Sequence, residues 1–274
     1  MTSSEDIRSL PAIDIHGHIG AYKGSALELI DQFYSGGPEK VLERASLANI
    51  EFTFISHLGA IFTHFGGDPL AANKELANVV PRFPGLFYWA VIEPRQEETF
   101  AQAEDLLRTP RCVGLKIHPE MHRYLIKEHG AKIFAFAASQ GAVVLTHSGE
   151  DLSLPSDFLP FADAFPEVKL ILAHIGWSRD GDMTRQVRAV KMSKHGNIFA
   201  DTSSSMSVTS NLIEWAVGEI GPERILFGTD TPLYFAPMQR ARIDSAEISD
   251  EAKIMILRRN AERLFAAKLK TAMK

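Results

Sequence analysis

The chain is expected to fold as one (β/α)8 TIM barrel spanning residues 1–274, and three observations lead there. Eight short apolar runs rich in β-branched and aromatic residues recur along it, most of them ending in Gly, Pro, Ser or Asp. Segments with helical apolar spacing lie between them, an alternation that points to a parallel sheet covered by helices. The length of 274 residues is close to the ~250 typical of one closed barrel. An open doubly wound sheet is the rival, but no G-x-G-x-x-G follows any strand.

Taken in order, the first strand is "AIDIHGHI" (12–19). Its period of two sets Ile13, Ile15 and Ile19 on one face and Asp14, His16 and His18 on the other. A buried face of such polar side chains is costly unless something binds them. A long loop (20–50) leads to "FTFISH" (52–57), and a second (58–68) leads to a helix over 69–80. Both loops are expected to lie over the barrel mouth. "LFYWAVIE" (86–93) is followed by a helix over 96–108, and "CVGLKIHP" (112–119) by one over 130–141. In "GLKIH", Gly114, Lys116 and His118 share a face, and Leu115 and Ile117 face the helices. "AVVLTHSG" (142–149) and "KLILAHIG" (169–176) come next, then a helix over 182–196. "IFADTS" (198–203), a helix over 209–221, "ILFGTDTP" (225–232) and an amphipathic helix over 249–265 complete the series. Several of these helices end at glycine, as helix C-termini often do.

The composition narrows the function. A formal net charge of −5 offers no nucleic-acid footprint, and the basic run 185–195 reads as a solvated helix face. The single cysteine, Cys112, excludes an intrachain disulfide and suits a reducing compartment. The N-terminus "MTSSEDIRSLP" lacks the features of a signal peptide, and no run of about 20 apolar residues is present. The expectation is a cytoplasmic protein that acts on a small molecule, binds neither nucleic acid nor membrane, and is compatible with a homo-oligomer.

Polar side chains collect at the C-terminal ends of the strands: His16 and His18, Lys116 and His118, His147, His174 and Asp230. Each has an ordinary explanation alone. His147 and His174 suit a core, Lys116 a surface, and Asp230 a cap for the Thr-Pro turn that follows it. Together they share one end of different strands, and in a barrel that end is the mouth where active sites lie. Two histidines at i and i+2 on a strand point the same way and can chelate one ion. His16, His18, His147 and Asp230 are therefore expected to converge on a divalent metal. Zn2+ is favoured, and Mn2+ suits the mixed nitrogen and oxygen set. One ion is expected, with a second compatible with the number of donors. Such an ion activates water and polarises a carbonyl, and Asp230 beside it is the natural base. Asp14 reads either as an acceptor that fixes an imidazole or as a structural aspartate bonded to backbone. His57, His64, Arg95, His118, Glu120, His122, Tyr124 and Glu150 are weaker candidates.

The series "DIHGH … GLKIHP … LTHSG … LAHIG … FGTD" resembles the amidohydrolase superfamily from residue 12 to about residue 235. It is most similar to the amidohydrolase-related branch that holds aminocarboxymuconate-semialdehyde decarboxylase, resorcylate-type decarboxylases and several lactone hydrolases. The resemblance implies that His16 and His18 are the strand-one metal ligands and His147 the strand-five ligand. It implies that Asp230 touches the metal and shuttles a proton. His174 matches a histidine that is a ligand in two-metal members and polarises substrate or water in one-metal members. Lys116 stands where two-metal hydrolases carry a carboxylated bridging lysine, a residue many one-metal decarboxylases lack.

On these grounds the sequence ranks first a metal-dependent hydrolase of an amide, lactone or ester in a small molecule, carboxylated or not, with Asp230, His174 and Lys116 catalytic. A metal-dependent non-oxidative decarboxylase of a small aromatic or enal acid ranks second. A TatD-type nuclease is disfavoured by Gly228, where a glutamate is expected, by Lys116 and by the acidic charge. An inactive binding barrel is disfavoured by the intact set of ligand-type residues.

Overall fold

Eight parallel strands pair in chain order, from β1 to β8, in the computed structural model, which describes residues 7–272. They are β1 (Ala12–Ile19), β2 (Ile50–His57), β3 (Leu86–Val91), β4 (Cys112–Ile117), β5 (Val143–Thr146), β6 (Leu170–Leu172), β7 (Ile198–Asp201) and β8 (Ile225–Leu226). Beyond the two residues of β8, the chain continues alongside β1. Ile15 N donates to Phe227 O (3.0 Å), Asp230 N to His16 O (2.7 Å) and His18 N to Thr231 O (2.7 Å). These bonds close the sheet into a TIM barrel and carry Asp230 to the side of the two strand-one histidines. Residues 1–6, part of the N-terminal segment read above for a signal peptide, lie outside the described residues.

Two apolar layers hold the barrel. The outer one packs strand residues such as Ile55, Tyr88, Leu115, Ile117, Val144 and Leu172 against the helices. The inner one fills the lower barrel with Ile13, Ile15, Phe54, Phe87, Trp89, Leu145, Ile171 and Leu226. Phe265 closes its floor, edge-on to Phe54 at 5.0 Å and to Trp89 at 5.6 Å between ring centroids. A filled lower barrel leaves the upper end as the place for a cavity.

The strict alternation expected for the first strand does not hold. The pairing of β1 with β2 shifts between Asp14 and Gly17, where β1 carries one extra residue. Such a bulge sends two successive side chains to the same side. Ile15 therefore joins Ile13 in the inner core, while His16 and His18 still face inward above them. The carbonyl freed at Ile15 accepts from the Trp89 indole N–H at 2.9 Å.

Elsewhere, the long loops after β1 and β2 contain short helices, Glu28–Tyr34, Pro38–Leu47 and Leu58–Ile61. The helix expected over 249–265 forms, with a π-turn at Met255–Arg259 in its middle. Ile256 O within that turn accepts from Phe227 N (3.1 Å) and ties the last helix to the end of β8. Cys112 is free and buried. No helix among the described residues is long and apolar enough to cross a membrane.

Candidate active site

The C-terminal strand ends surround a cavity of about 240 Å³ whose lining includes His16, His18, Lys116, His147, His174 and Asp230. Each of these six residues comes from the end of a strand or from the residues just beyond it. His174 (φ 73°) and Asp230 (φ 57°) both adopt the left-handed backbone region, uncommon outside glycine and a frequent mark of functional positions.

His16 lies at the centre of the cluster. Its Nδ1 is 2.8 Å from Asp201 Oδ2, and its Nε2 is 2.9 Å from Lys116 Nζ and 3.5 Å from Asp230 Oδ1. His18 reaches the same carboxylate oxygen, with Nε2 2.8 Å from Asp230 Oδ1, and its Nδ1 rests 2.8 Å from Ser56 Oγ. The Nδ1 atoms thus have oxygen partners deep in the wall, and both Nε2 atoms turn toward the cavity. Burial, helped by Lys116, holds the His16 imidazole well below its ordinary pKa, so its neutral form has a lone pair to offer. Burial also pushes the Lys116 ammonium down to about 8, against the attraction of Asp230 and Asp201.

Among the described residues, two groups have ligand atoms within 4.8 Å of one another: His16, His18 and Asp230, and His16, His174 and Asp201. The donor chemistry of the first group fits a divalent cation. Two imidazole nitrogens and a carboxylate oxygen converge, and their outward atoms are fixed by Asp201 and Ser56, the kind of support that sets tautomer and ring orientation at metal sites. Lys116 Nζ is the cationic group already beside them.

His147 stands one step away from this trio. Its Nδ1 is 3.1 Å from His174 Nε2, its Nε2 is 3.2 Å from Glu150 Oε2, and its ring stacks on His118 at 4.2 Å. His174 Nδ1 in turn meets Ser203 Oγ at 2.8 Å. Of the weaker candidates, His118 and Glu150 also line the cavity. His57 turns away, toward Glu75 (3.4 Å), and lines a neighbouring cavity instead. Arg95 is engaged by Glu93, and His122 Nε2 by Ala60 O at 3.0 Å. His64 Nδ1 contacts Met121 O at 2.8 Å, Glu120 accepts from Leu152 N, and Tyr124 is buried.

Asp14 takes the second of its two readings. It accepts from His16 N (3.0 Å), Thr229 N (3.0 Å) and Thr229 Oγ1 (2.6 Å), and it contacts no imidazole. Burial pushes its carboxyl up to about 7 despite those three donors. It pins β1 to the chain after β8, and the acceptor that fixes an imidazole is Asp201. Sequence reasoning passed over both Asp201 and Ser203 in "IFADTS", although Asp201 ends β7 at the same barrel face as the other candidates. Gly228 has a steric role here. A Cβ there would lie 3.1 Å from the Cβ atoms of His16 and Ser203 and 3.3 Å from Asp201 Cγ, so a side chain would crowd the His16–Asp201 pair.

Comparison with known proteins matches this arrangement at the level of fold and family. The chain is similar in structure to a 2,6-dihydroxybenzoate decarboxylase from Rhizobium, with a TM-score of 0.72 and 14% identity over 93% of this chain and 98% of the other. It is similar to a 5-carboxyvanillate decarboxylase from Sphingomonas paucimobilis, with a TM-score of 0.67 and 15% identity over 94% and 99%. A dihydroxybenzoic acid decarboxylase from Polaromonas sp. JS666, solved with bound manganese and the inhibitor 2-nitroresorcinol, gives a TM-score of 0.67 and 16% identity over 93% and 97%. No curated protein matches the sequence. With residues 13–267 matched by the family model described as Amidohydrolase, the chain belongs to that family.

Proposed function

We propose that this protein is a metal-dependent, non-oxidative decarboxylase of a small aromatic or enal acid. The observation that carries the reading is the convergence of His16, His18 and Asp230 at a cavity walled by Tyr22, Phe62, Trp177 and Tyr234. Flat apolar walls suit a planar conjugated acid, and a cation-binding trio suits its carboxylate. Three structural neighbours that are decarboxylases support the reading, which overtakes the hydrolase that Lys116 placed first in the sequence.

His16, His18 and Asp230 would hold the ion, with His147 and His174 within reach of the same space. When bound, a divalent ion supplies the positive charge that orients the carboxylate and its neighbouring oxygen. Asp230, on the wall of the same cavity, would deliver the proton to the reacting carbon from its carboxyl group. As the bond to the carboxyl group breaks, its electron pair stays on that carbon, which takes the proton from Asp230 while carbon dioxide leaves. His174, anchored by Ser203 through Nδ1 and by His147 through Nε2 (3.1 Å), lines the same cavity.

Protein loaded with Mn2+ or Zn2+ is expected to hold about one ion per chain, and His16→Ala to reduce its metal affinity at least about tenfold. Elemental analysis after loading checks both, and a chain that takes up no specific metal overturns the reading.

Hydrolysis is kept as a second reading because Lys116, 1% exposed, lies 2.9 Å from His16 Nε2, where a carbamate would bridge two ions. Assay of the manganese-loaded protein on hydroxybenzoates and on lactones and esters decides between the two. The decarboxylase is expected to release carbon dioxide, with Lys116→Ala unchanged in metal content. Turnover of lactones or esters alone, with Lys116→Ala losing about half its metal, would establish the two-metal hydrolase instead.

A further inference from the structure

We infer that Phe62 is a partition that closes the substrate cavity off from a second cavity beside it, and so limits how long an acid the site accepts. The inference rests on the decarboxylase reading and names the residue that sets the size of its substrate. The second cavity measures about 300 Å³ and is lined from the loops after β1 and β2 and from the helix Pro69–Val79. Among the described residues, Phe62 alone lines both this cavity and the one that holds His16, His18 and Asp230. Its neighbours sort to one side or the other. Tyr22, Leu58 and Ile61 line the substrate cavity, whereas Ala21, Lys23 and Gly59 line the second. The Phe62 ring meets a ring from each side, with centroids 4.8 Å from Tyr22 and 6.1 Å from Phe65, which lines the second cavity.

The surroundings of the ring are fixed. The Phe62 backbone N–H donates to Leu58 O (2.9 Å), and its carbonyl accepts from Phe65 N (3.0 Å) and Gly67 N (3.1 Å). On the second cavity's wall, the His57 ring is packed against two glycines. A Cβ on Gly20 would lie 2.8 Å from His57 Cε1, and one on Gly59 would lie 3.0 Å from His57 Nδ1. A shorter side chain at position 62 therefore removes the ring while its backbone bonds remain, and the two spaces join.

The consequence is a limit on length. An acid held at the trio by its carboxylate and extending toward Phe62 must stop at the ring, because a packed wall does not admit further atoms without strain. Without the ring, the same extension enters the second cavity and buries apolar surface against Phe65 and Ala72. That cavity opens outward, with Lys23 and Glu75 exposed on its wall. Phe62 thus also separates the cation-binding trio from a second route to solvent.

Calorimetric binding of benzoate, biphenyl-3-carboxylate and biphenyl-4-carboxylate to the manganese-loaded protein tests this. The wild type is expected to bind benzoate at least about tenfold tighter than either longer acid. In Phe62→Ala, at least one of the longer acids is expected to gain about tenfold or more relative to benzoate. Phe62→Leu keeps an apolar side chain for folding and is expected to show a smaller gain in the same direction. Phe65→Ala, which shortens a side chain on the second cavity only, is expected to leave the ratio unchanged. An unchanged ratio in every folded Phe62 variant overturns the partition and leaves the decarboxylase reading standing. So does an equal shift in Phe65→Ala, or a wild type that already binds a biphenylcarboxylate as tightly as benzoate. Absence of any metal-dependent benzoate binding in the wild type overturns that reading and the partition with it.

Discussion

Asp230→Asn is expected to give a folded protein that retains metal and turns over about 10²–10⁴-fold more slowly. The substitution is mild for the backbone. Asp230 has φ of 57°, a region that asparagine tolerates better than any other residue except glycine. Its amide N–H to His16 O (2.7 Å) involves no side-chain atom and is retained. An amide oxygen can also take the place of Oδ1, 2.8 Å from His18 Nε2. What the amide cannot do is carry and release the proton of a carboxyl group. Metal content and thermal unfolding should therefore change little while carbon dioxide release falls. Near-normal turnover in Asp230→Asn would remove Asp230 from the proton transfer and move attention to His174, whose imidazole borders the same cavity.

The barrel and the group of residues at its mouth were legible because they depend on local patterns. Eight apolar runs, most of them with a polar side chain at or near the C-terminal end, survive in the sequence whatever surrounds them. Three features were not legible. The bulge in β1 arises from its registers with β2 and the chain after β8, and a period of two read along one strand contains no information about its neighbours. The helix Glu28–Tyr34 buries none of its residues, so it leaves no apolar stripe to detect. The helix Ala236–Asp244 buries Gln239 and Arg240. Arg240 reaches Leu10 O and Ile7 O across the barrel base, so hydrogen bonds replace the apolar face that periodicity would reveal. Asp201 was hidden for a related reason. An aspartate at a strand end is as often a cap as a partner for an imidazole, and only the tertiary fold brings it to His16, 185 residues away.

Asp201→Asn is expected to lower metal affinity about 10–100-fold while the protein stays folded, with stability reduced by about 1–3 kcal/mol. Asp201 is fully buried and accepts at both oxygens. Oδ1 takes His174 N (2.9 Å), Ser203 N (3.0 Å) and the Ser203 hydroxyl, and Oδ2 takes His16 Nδ1 (2.8 Å). An asparagine can keep its single oxygen on the two backbone donors, which explains why folding survives. Its NH2 group then faces His16 and can only donate. His16 must present a lone pair at Nδ1 to accept that bond, which moves its proton to Nε2, the atom that faces Asp230 and the cavity. A protonated Nε2 cannot bind a cation, so the substitution removes a ligand without touching it. Ser56→Ala beside His18 is the control. The hydroxyl carries no charge and its loss imposes no tautomer, so the drop in affinity should be smaller. Metal affinity measured by chelator competition, alongside thermal unfolding, distinguishes these outcomes. Wild-type affinity in Asp201→Asn would show that His16 is oriented by packing alone, whereas equal losses in both variants would mean that ring placement matters and the tautomer does not.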